Sequence, residues 1–166
     1  MTVTFSYATY QDLPKIIEIY NQAVPTRLST ADTSPVTVES KIIWFESYNQ
    51  MTRPLWVMKQ DETIVGWVAL EDFYGRPAFK ATAEISLYID NQFQGQGLGQ
   101  KALDWVFSQL PQCQVTTIMA YVFHHNVASQ KLFFRNGFEQ WAHLPNIANM
   151  DDELYSLDIL GRTFRH

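Results

Sequence analysis

Cysteine is almost missing from this 166-residue chain, with Cys113 standing alone. A single thiol excludes an internal disulfide framework. It sits in Pro111-Gln112-Cys113-Gln114, which reads as a connection from helix to strand, so it reads as incidental and not as a nucleophile. Basic residues are also scarce, 12 Lys and Arg against 17 Asp and Glu, for a net charge of −5. A protein that binds nucleic acid by neutralising phosphates carries the opposite balance, so no nucleic-acid partner is expected, while a cationic partner or substrate stays open. No stretch reaches the ~20 apolar residues of a membrane span. Residues 1–7 run straight into a strand without a basic-then-apolar leader, and the expectation is a cytoplasmic protein with no membrane partner. Repeats, low-complexity tracts and linkers are lacking too. What is present is 46% hydrophobic residues, enough for a sizeable core, and residues 1–166 are expected to form a single domain.

In chain order, residues 2–7 alternate as a first strand. Thr9-Tyr10-Gln11-Asp12 reads as a capping signal for a helix with Leu13, Ile16, Ile17 and Tyr20 on its apolar face and Pro14 in its first turn. Residues 24–37 lack periodicity and form a long loop, the kind of segment that often walls a pocket. A second helix is expected over residues 38–48 from a cap at Thr37. Residues 55–59 and 64–70 read as a hairpin, and residues 73–81 as a loop. Residues 115–123 read as a strand, 126–136 as a helix with Gly137 at its C-cap, and a further strand starts at Phe138. Residues 145–152 read as a polar turn and 153–160 as the last strand. Trp44, Phe45, Trp56 and Trp67 fall at core-like spacings and read as packing.

The informative stretch is residues 83–110. Ala83, Ile85, Leu87 and Ile89 alternate with Glu84, Ser86, Tyr88 and Asp90, the period of a strand. Behind the glycines, Leu98, Ala102, Val106 and Leu110 recur every fourth residue, with Leu103 and Phe107 broadening the stripe, so a helix follows. Strand, glycine loop and helix make an anion site, because the first turn of a helix has unpaired N–H groups at the positive end of its dipole. Gly95, Gly97 and Gly99 allow close approach. The dinucleotide fingerprint fails, since Gln100 stands where its third glycine belongs and the unit lies in mid-chain. The triphosphate loop fails as well, because Gly99 is followed by Gln100-Lys101-Ala102 and not by Lys-Ser/Thr.

Gln94-Gly95-Gln96-Gly97-Leu98-Gly99 resembles the Gln/Arg-x-x-Gly-x-Gly loop of the GCN5-related N-acetyltransferases (GNAT). Asn126-x-x-Ser129, Phe133 and Asn136-Gly137-Phe138 resemble that family's later helix and the strand after it. The resemblance narrows to the phosphinothricin and methionine sulfoximine acetyltransferase branch through Tyr20-Asn21-Gln22-Ala23-Val24, Pro35-Val36, Trp44-Phe45, Gly66-Trp67-Val68-Ala69, Arg76-Pro77-Ala78-Phe79 and Glu84-x-Ser86-x-Tyr88. It implies an α/β fold of the α+β type, the acyl-CoA N-acyltransferase fold, with a mixed, mostly antiparallel sheet splayed at its centre and flanked by helices. It further implies acetyl-CoA as co-substrate and direct transfer of its acetyl group to the primary amine of a small amino-acid-like acceptor. Homodimers are common in that branch. The alternatives are acetylation of polyamines or protein N-termini, suggested by the acidic balance and Asp151-Asp152-Glu153, or a non-catalytic acetyl-CoA sensor.

The resemblance assigns roles. Glu84 is the candidate general base for an amine that must lose a proton before attack. Backbone around Leu87, Tyr88 and Ile89 holds the thioester. Gln94, Gly95, Gln96, Gly97, Leu98, Gly99 and Gln100 form the pyrophosphate loop, and Asn126, Ser129 and Phe133 line the pantetheine arm. Arg76 fits a carboxylate fork for the acceptor, with Tyr74 beside it where the branch often has another Arg. Ile85 stands where the family commonly has His. Phe133 stands where many members have a proton-donating Tyr, which leaves water, Tyr121 or the ammonium itself as the thiolate's proton source. His124 and His125 point to opposite faces and lack a third ligand at metal spacing, so no metal is expected.

Overall fold

The structure, a computed structural model, describes residues 2–165; Met1, at the head of the segment read for a leader, and His166, at the end of the expected domain, lie outside them. The elements are β1 (Val3–Tyr7), α1 (Leu13–Ala23), α2 (Ile42–Glu46), β2 (Leu55–Gln60), β3 (Thr63–Asp72), β4 (Thr82–Ile89), α3 (Leu98–Cys113), β5 (Thr117–Phe123), α4 (Val127–Arg135), β6 (Glu139–Met150) and β7 (Glu153–Thr163). They form one seven-stranded sheet in the order β1-β2-β3-β4-β5-β7-β6. Only β4 and β5 run parallel. This is the mixed, mostly antiparallel, helix-flanked sheet that the sequence predicts.

Alternation sends successive strand residues to opposite faces, and each face takes its own helices. On one face α3 buries Leu98, Ala102, Leu103, Val106 and Leu110 against Met58, Val68, Leu70 and Ile85. A fully buried leucine such as Leu103 contributes roughly 2 kcal/mol. On the other face α1 buries Ile16 and Ile19 against Leu55, Val57, Trp67 and Ala69. The Trp67 indole N–H donates to the Ile16 carbonyl at 3.1 Å, fastening α1 to β3. No helix is long and apolar enough to cross a membrane.

Several boundaries differ from the sequence reading. A capping box at Thr9 and Asp12 opens a 3₁₀ turn (Tyr10–Asp12), and α1 follows it with Ile19, not Tyr20, fully buried. The second helix shrinks to a 3₁₀ turn (Glu39–Lys41) and the five residues of α2, because Ile42 and Ile43 face solvent and give no stripe to extend. Thr37 does cap the segment, its hydroxyl accepting from the Ser40 N–H at 3.1 Å. α3 runs three residues past Leu110 and carries Pro111 and Cys113, so Cys113 is not in a connection but 2% exposed in the core. Residues 145–152 are not a turn. β6 continues to Met150, and Pro145 and Asn146 sit where the register jumps between Leu144 and Ala148. β6 is an edge strand, where a missing N–H and a bulge are tolerated. The turn itself is Asp151-Asp152, both at positive φ.

One feature of the sheet positions the site. β4 pairs with β5 only from Thr82 to Glu84, opposite Thr117 to Met119. Beyond that, β4 continues on β3 and β5 on β7, so residues 85–89 have no ladder partner in β5. The sheet opens at its centre.

Candidate active site

The loop from Gln94 leads into α3 through Gly95 and Gly97, at φ 76° and 73°. That left-handed backbone suits glycine and aims the loop at the helix start. Gly97 is the N-cap, and no acidic side chain lies in the first turn, so the N–H groups of Leu98, Gly99 and Gln100 keep an uncompensated positive end. Gly99, which lines the cleft with the rest of the loop, has a second task. It lies inside α3, and a Cβ there would come within 3.1 Å of Leu132, so its hydrogen lets α4 pack close. Gln94 donates to the Ile89 carbonyl at 3.0 Å and ties the loop to the end of β4.

The opening between β4 and β5 forms a cleft of about 550 Å³ lined by Glu84, Leu87, Tyr121, Asn126, Ser129 and Phe133. It shares Leu87, Tyr88, Asn126, Ser129 and Leu132 with a second cleft of about 540 Å³ that holds Ile89, Gln94, Gly95, Gly97 and Arg135. The two make one passage from Glu84 to the glycine loop. Its residues fit an elongated co-substrate with an anionic end: apolar walls and a free strand edge at one end, unpaired helix N–H groups at the other. Gln96 alone of the loop residues faces away, its side chain accepting from Gln60 at 3.4 Å.

The long loop after α1 straps this passage. Tyr88 donates to the Ser29 carbonyl at 2.8 Å, His125 to the Arg27 carbonyl at 2.7 Å, and Asn126 to the Leu28 carbonyl at 3.0 Å. Asn126 also caps α4, its side-chain oxygen accepting from Ser129 N–H at 3.2 Å. The second N–H of the Asn126 amide stays available to a ligand in the passage.

Glu84 stands where the strands part. Its cross-strand neighbour is Glu71 on β3, and both side chains share the α1/α2 face of the sheet. Burial and then the Glu71 charge push the Glu84 carboxyl up to about 7. Glu71 is itself held, accepting from the Trp44 indole at 3.2 Å and from the Tyr48 hydroxyl. Beside this pair lies a cavity of about 180 Å³ lined by Tyr20, Lys41, Trp44, Trp67, Glu71, Ser86 and Tyr88. Ser86 and Tyr88 belong to both this cavity and the passage, so the two communicate. Trp44 and Trp67, read from sequence as packing, line it as well. Sequence reasoning missed Glu71 and Lys41. Glu71 could have been found by aligning the β3 and β4 alternations, which puts two carboxylates on one face; no local signal marks Lys41.

Tyr121 lies on β5 in the same cleft, and burial, followed by the Glu84 charge, raises its hydroxyl so that it stays protonated at neutral pH. Phe133 is 6% exposed and packs edge-on against Phe138. The remaining residues lie elsewhere. Tyr74 is 74% exposed, and Arg76 lines a separate surface depression with Asp72, Phe73 and Lys80 that has no lining residue in common with the passage or the cavity. Asp151 pairs with Arg27 at 2.7 Å, and Glu153 accepts from Tyr155 at 2.8 Å, so two of the three residues of the acidic run Asp151-Asp152-Glu153 are engaged.

His124 corrects the sequence reading, which gave it no third ligand partner. Its ring meets His143 and Asp158, and the potential ligand atoms lie within 4.8 Å of one another. Strand pairing brings them together, since His143 is opposite Asp158 on β7, beyond the reach of sequence spacing. Asp158 is 1% exposed and accepts from His124 at 2.8 Å, His143 at 2.5 Å and Gln130 at 2.9 Å. Burial alone would raise its carboxyl, but these donors hold it below the usual range. The cluster ties α4 to β6 and β7.

Comparison with known proteins agrees with this fold. A Bacillus subtilis protein named "Putative phosphinothricin acetyltransferase YwnH" is 40% identical over 161 residues, 96% of this chain and 98% of its own. The "L-methionine sulfoximine/L-methionine sulfone acetyltransferase" of Salmonella typhimurium is 27% identical over 87% of this chain and 85% of its own. A crystal structure described as a putative phosphinothricin N-acetyltransferase superposes with a TM-score of 0.95 at 39% identity, covering 99% of this chain and all of that one. The profile of the Acetyltransferase (GNAT) family matches residues 14–138, from the first turn of α1 to the residue before β6, and the chain belongs to that family.

Proposed function

We propose that the protein transfers the acetyl group of acetyl-CoA to the primary amine of a small amino-acid-like acceptor of the phosphinothricin or methionine sulfoximine type. The observation that carries this reading is the place of Glu84, at the point where β4 and β5 separate, in the cleft beside the aromatic cavity, where burial and Glu71 push its carboxyl up to about 7. Acetyl-CoA, when bound, supplies an activated thioester carbonyl. The chain does the rest. The α3 N-terminus and the loop of residues 94–100 hold the pyrophosphate, the free edge of β4 from Leu87 to Ile89 positions the thioester, and Asn126, Ser129 and Phe133 flank the arm. Glu84 takes the proton from the acceptor's ammonium, directly or through one water. Tyr121 is the hydroxyl available to protonate the departing thiolate, since Phe133 has no proton to give. Cys113, buried at the C-terminal end of α3, has no part, so transfer is direct and not through an acyl-enzyme.

The reading includes a cytoplasmic enzyme working as a homodimer. The exposed Trp141 and Ile147 on edge strand β6 and Leu154 on β7 offer apolar surface for a second copy. The test is thiol release from acetyl-CoA with free amino acids, methionine sulfoximine, phosphinothricin, polyamines and short peptides, alongside calorimetry of cofactor binding. Turnover on the amino-acid class is expected. Tight acetyl-CoA binding without turnover on any amine would make the protein a sensor, and turnover on polyamines or peptides alone would overturn the acceptor class.

A further inference from the structure

An amino-acid acceptor brings two charges to the site, an ammonium that must lie by Glu84 and a carboxylate that must be met by a cation if it is to leave water. Among the described residues that line the aromatic cavity and the Glu84 cleft, only Lys41 is basic. It precedes α2 directly and is half-buried. Its ammonium takes part in no ion pair and no hydrogen bond among the described residues. Cations elsewhere are committed: Lys15 to Glu18 and Asp90, Arg27 to Asp151, Arg53 to Asp72. Glu71, the acid nearest to hand in the same cavity, is held instead by Trp44 and Tyr48. Arg76, the cation expected from sequence, opens onto a different depression on the β3–β4 loop.

We propose that Lys41 is the counter-ion of the acceptor's carboxylate, and that the cavity beside Glu84 takes a free zwitterionic amino acid, with Trp44, Trp67, Tyr20 and Tyr88 around its side chain. This rests on the acetyltransferase reading above and narrows it. With Lys41 and Glu71 both lining the cavity and Glu84 opposite Glu71, an α-amino acid bound with its carboxylate on Lys41 turns its amine toward Glu84 and the passage. A polyamine would place a second cation against Lys41, and a peptide N-terminus has an amide where the carboxylate belongs. Both are disfavoured, a selection made by repulsion and by loss of a charge pair.

The experiment compares one acceptor pair, the amino acid that the wild type turns over best and the amine with the same side chain but no carboxylate. Wild type should prefer the amino acid by about 100-fold in kcat/KM. Lys41→Met should lower kcat/KM for the amino acid by about 30-fold, mostly through KM, and leave the amine within about 2-fold, so that the preference collapses. Lys41→Arg should keep most of it, and Arg76→Gln should keep all of it. Calorimetric affinity for acetyl-CoA should be unchanged in every variant, which separates loss of the counter-ion from loss of the fold. A preference that survives Lys41→Met, an equal loss on both acceptors, or a collapse in Arg76→Gln would overturn the proposal. If the wild type bound acetyl-CoA yet turned over no amino acid, the acceptor reading would fail in the wild type itself, and this assignment with it.

Discussion

The proposed phosphate end of the site is backbone from one short run, residues 94–100, while the proposed acceptor end is side chains brought together from α1, the start of α2, β3 and β4. The difference follows from what each end has to recognise. A pyrophosphate is met by N–H groups that every residue carries, so the loop needs only the right φ at Gly95 and Gly97 and the dipole of a 16-residue helix behind it. An acceptor amine needs a proton removed at neutral pH, and that takes a carboxylate whose environment has been changed. The change comes from burial and from Glu71, thirteen positions earlier in sequence and directly opposite across the β3/β4 ladder. One end is local and generic; the other is tertiary and particular.

Glu84→Gln cuts most deeply into the acceptor end. Loss of a general base costs about 10² or more in rate, so kcat should fall by about 100-fold with calorimetric affinity for acetyl-CoA unchanged. An unaltered rate would remove Glu84 from the chemistry. In the wild type, kcat/KM should rise with pH through about 7 and then level off, as Glu84 loses its proton. Glu71→Gln should move that limb to lower pH, because one of the two causes of the raised value is gone; a limb that stays put would uncouple the pair.

The phosphate end should respond in the opposite manner. Gly97→Ala forces a Cβ into left-handed backbone at a cost of roughly 1 to 2 kcal/mol. The KM for acetyl-CoA should rise by about 10-fold while the pH limb stays where it is. A shifted limb would mean that the two ends are not separable.

The smallest effect is on stability, where Glu84 should act against the fold. Its carboxyl titrates higher in the folded protein than its ordinary value of 4.5, so the fold is favoured while Glu84 is protonated, and that advantage is lost as pH rises through about 7. Glu84→Gln, neutral at every pH, should therefore be more stable than wild type at pH 8 by about 1 kcal/mol once solvent screening of this part-exposed carboxyl is allowed for, and the difference should vanish by pH 4. Urea unfolding at the two pH values measures it. Equal stability at both would mean that the carboxyl is not strained by its surroundings.

What the sequence determined by itself is the architecture, including the strand, glycine loop and helix proposed to hold the phosphates. The alternation in β4, the fourfold repeat of α3 and the glycines between them are short-range patterns, readable because strand, loop and helix are contiguous. Asn126 as the cap of α4 and Gly137 after it, at φ 81°, belong to the same class. Local pattern failed where context decides: the exposed Ile42 and Ile43 shortened α2, and the ladder to β7 carried β6 through Pro145. Only the tertiary structure decided what surrounds Glu84. The β3/β4 register sets Glu71 against Glu84, the packing of α1 and α2 brings Tyr20, Lys41 and Trp44 over that pair, and the parting of β4 from β5 opens the passage. These are consequences of pairing between distant segments, and a carboxylate's proton affinity is a property of what surrounds it, not of its place in the chain.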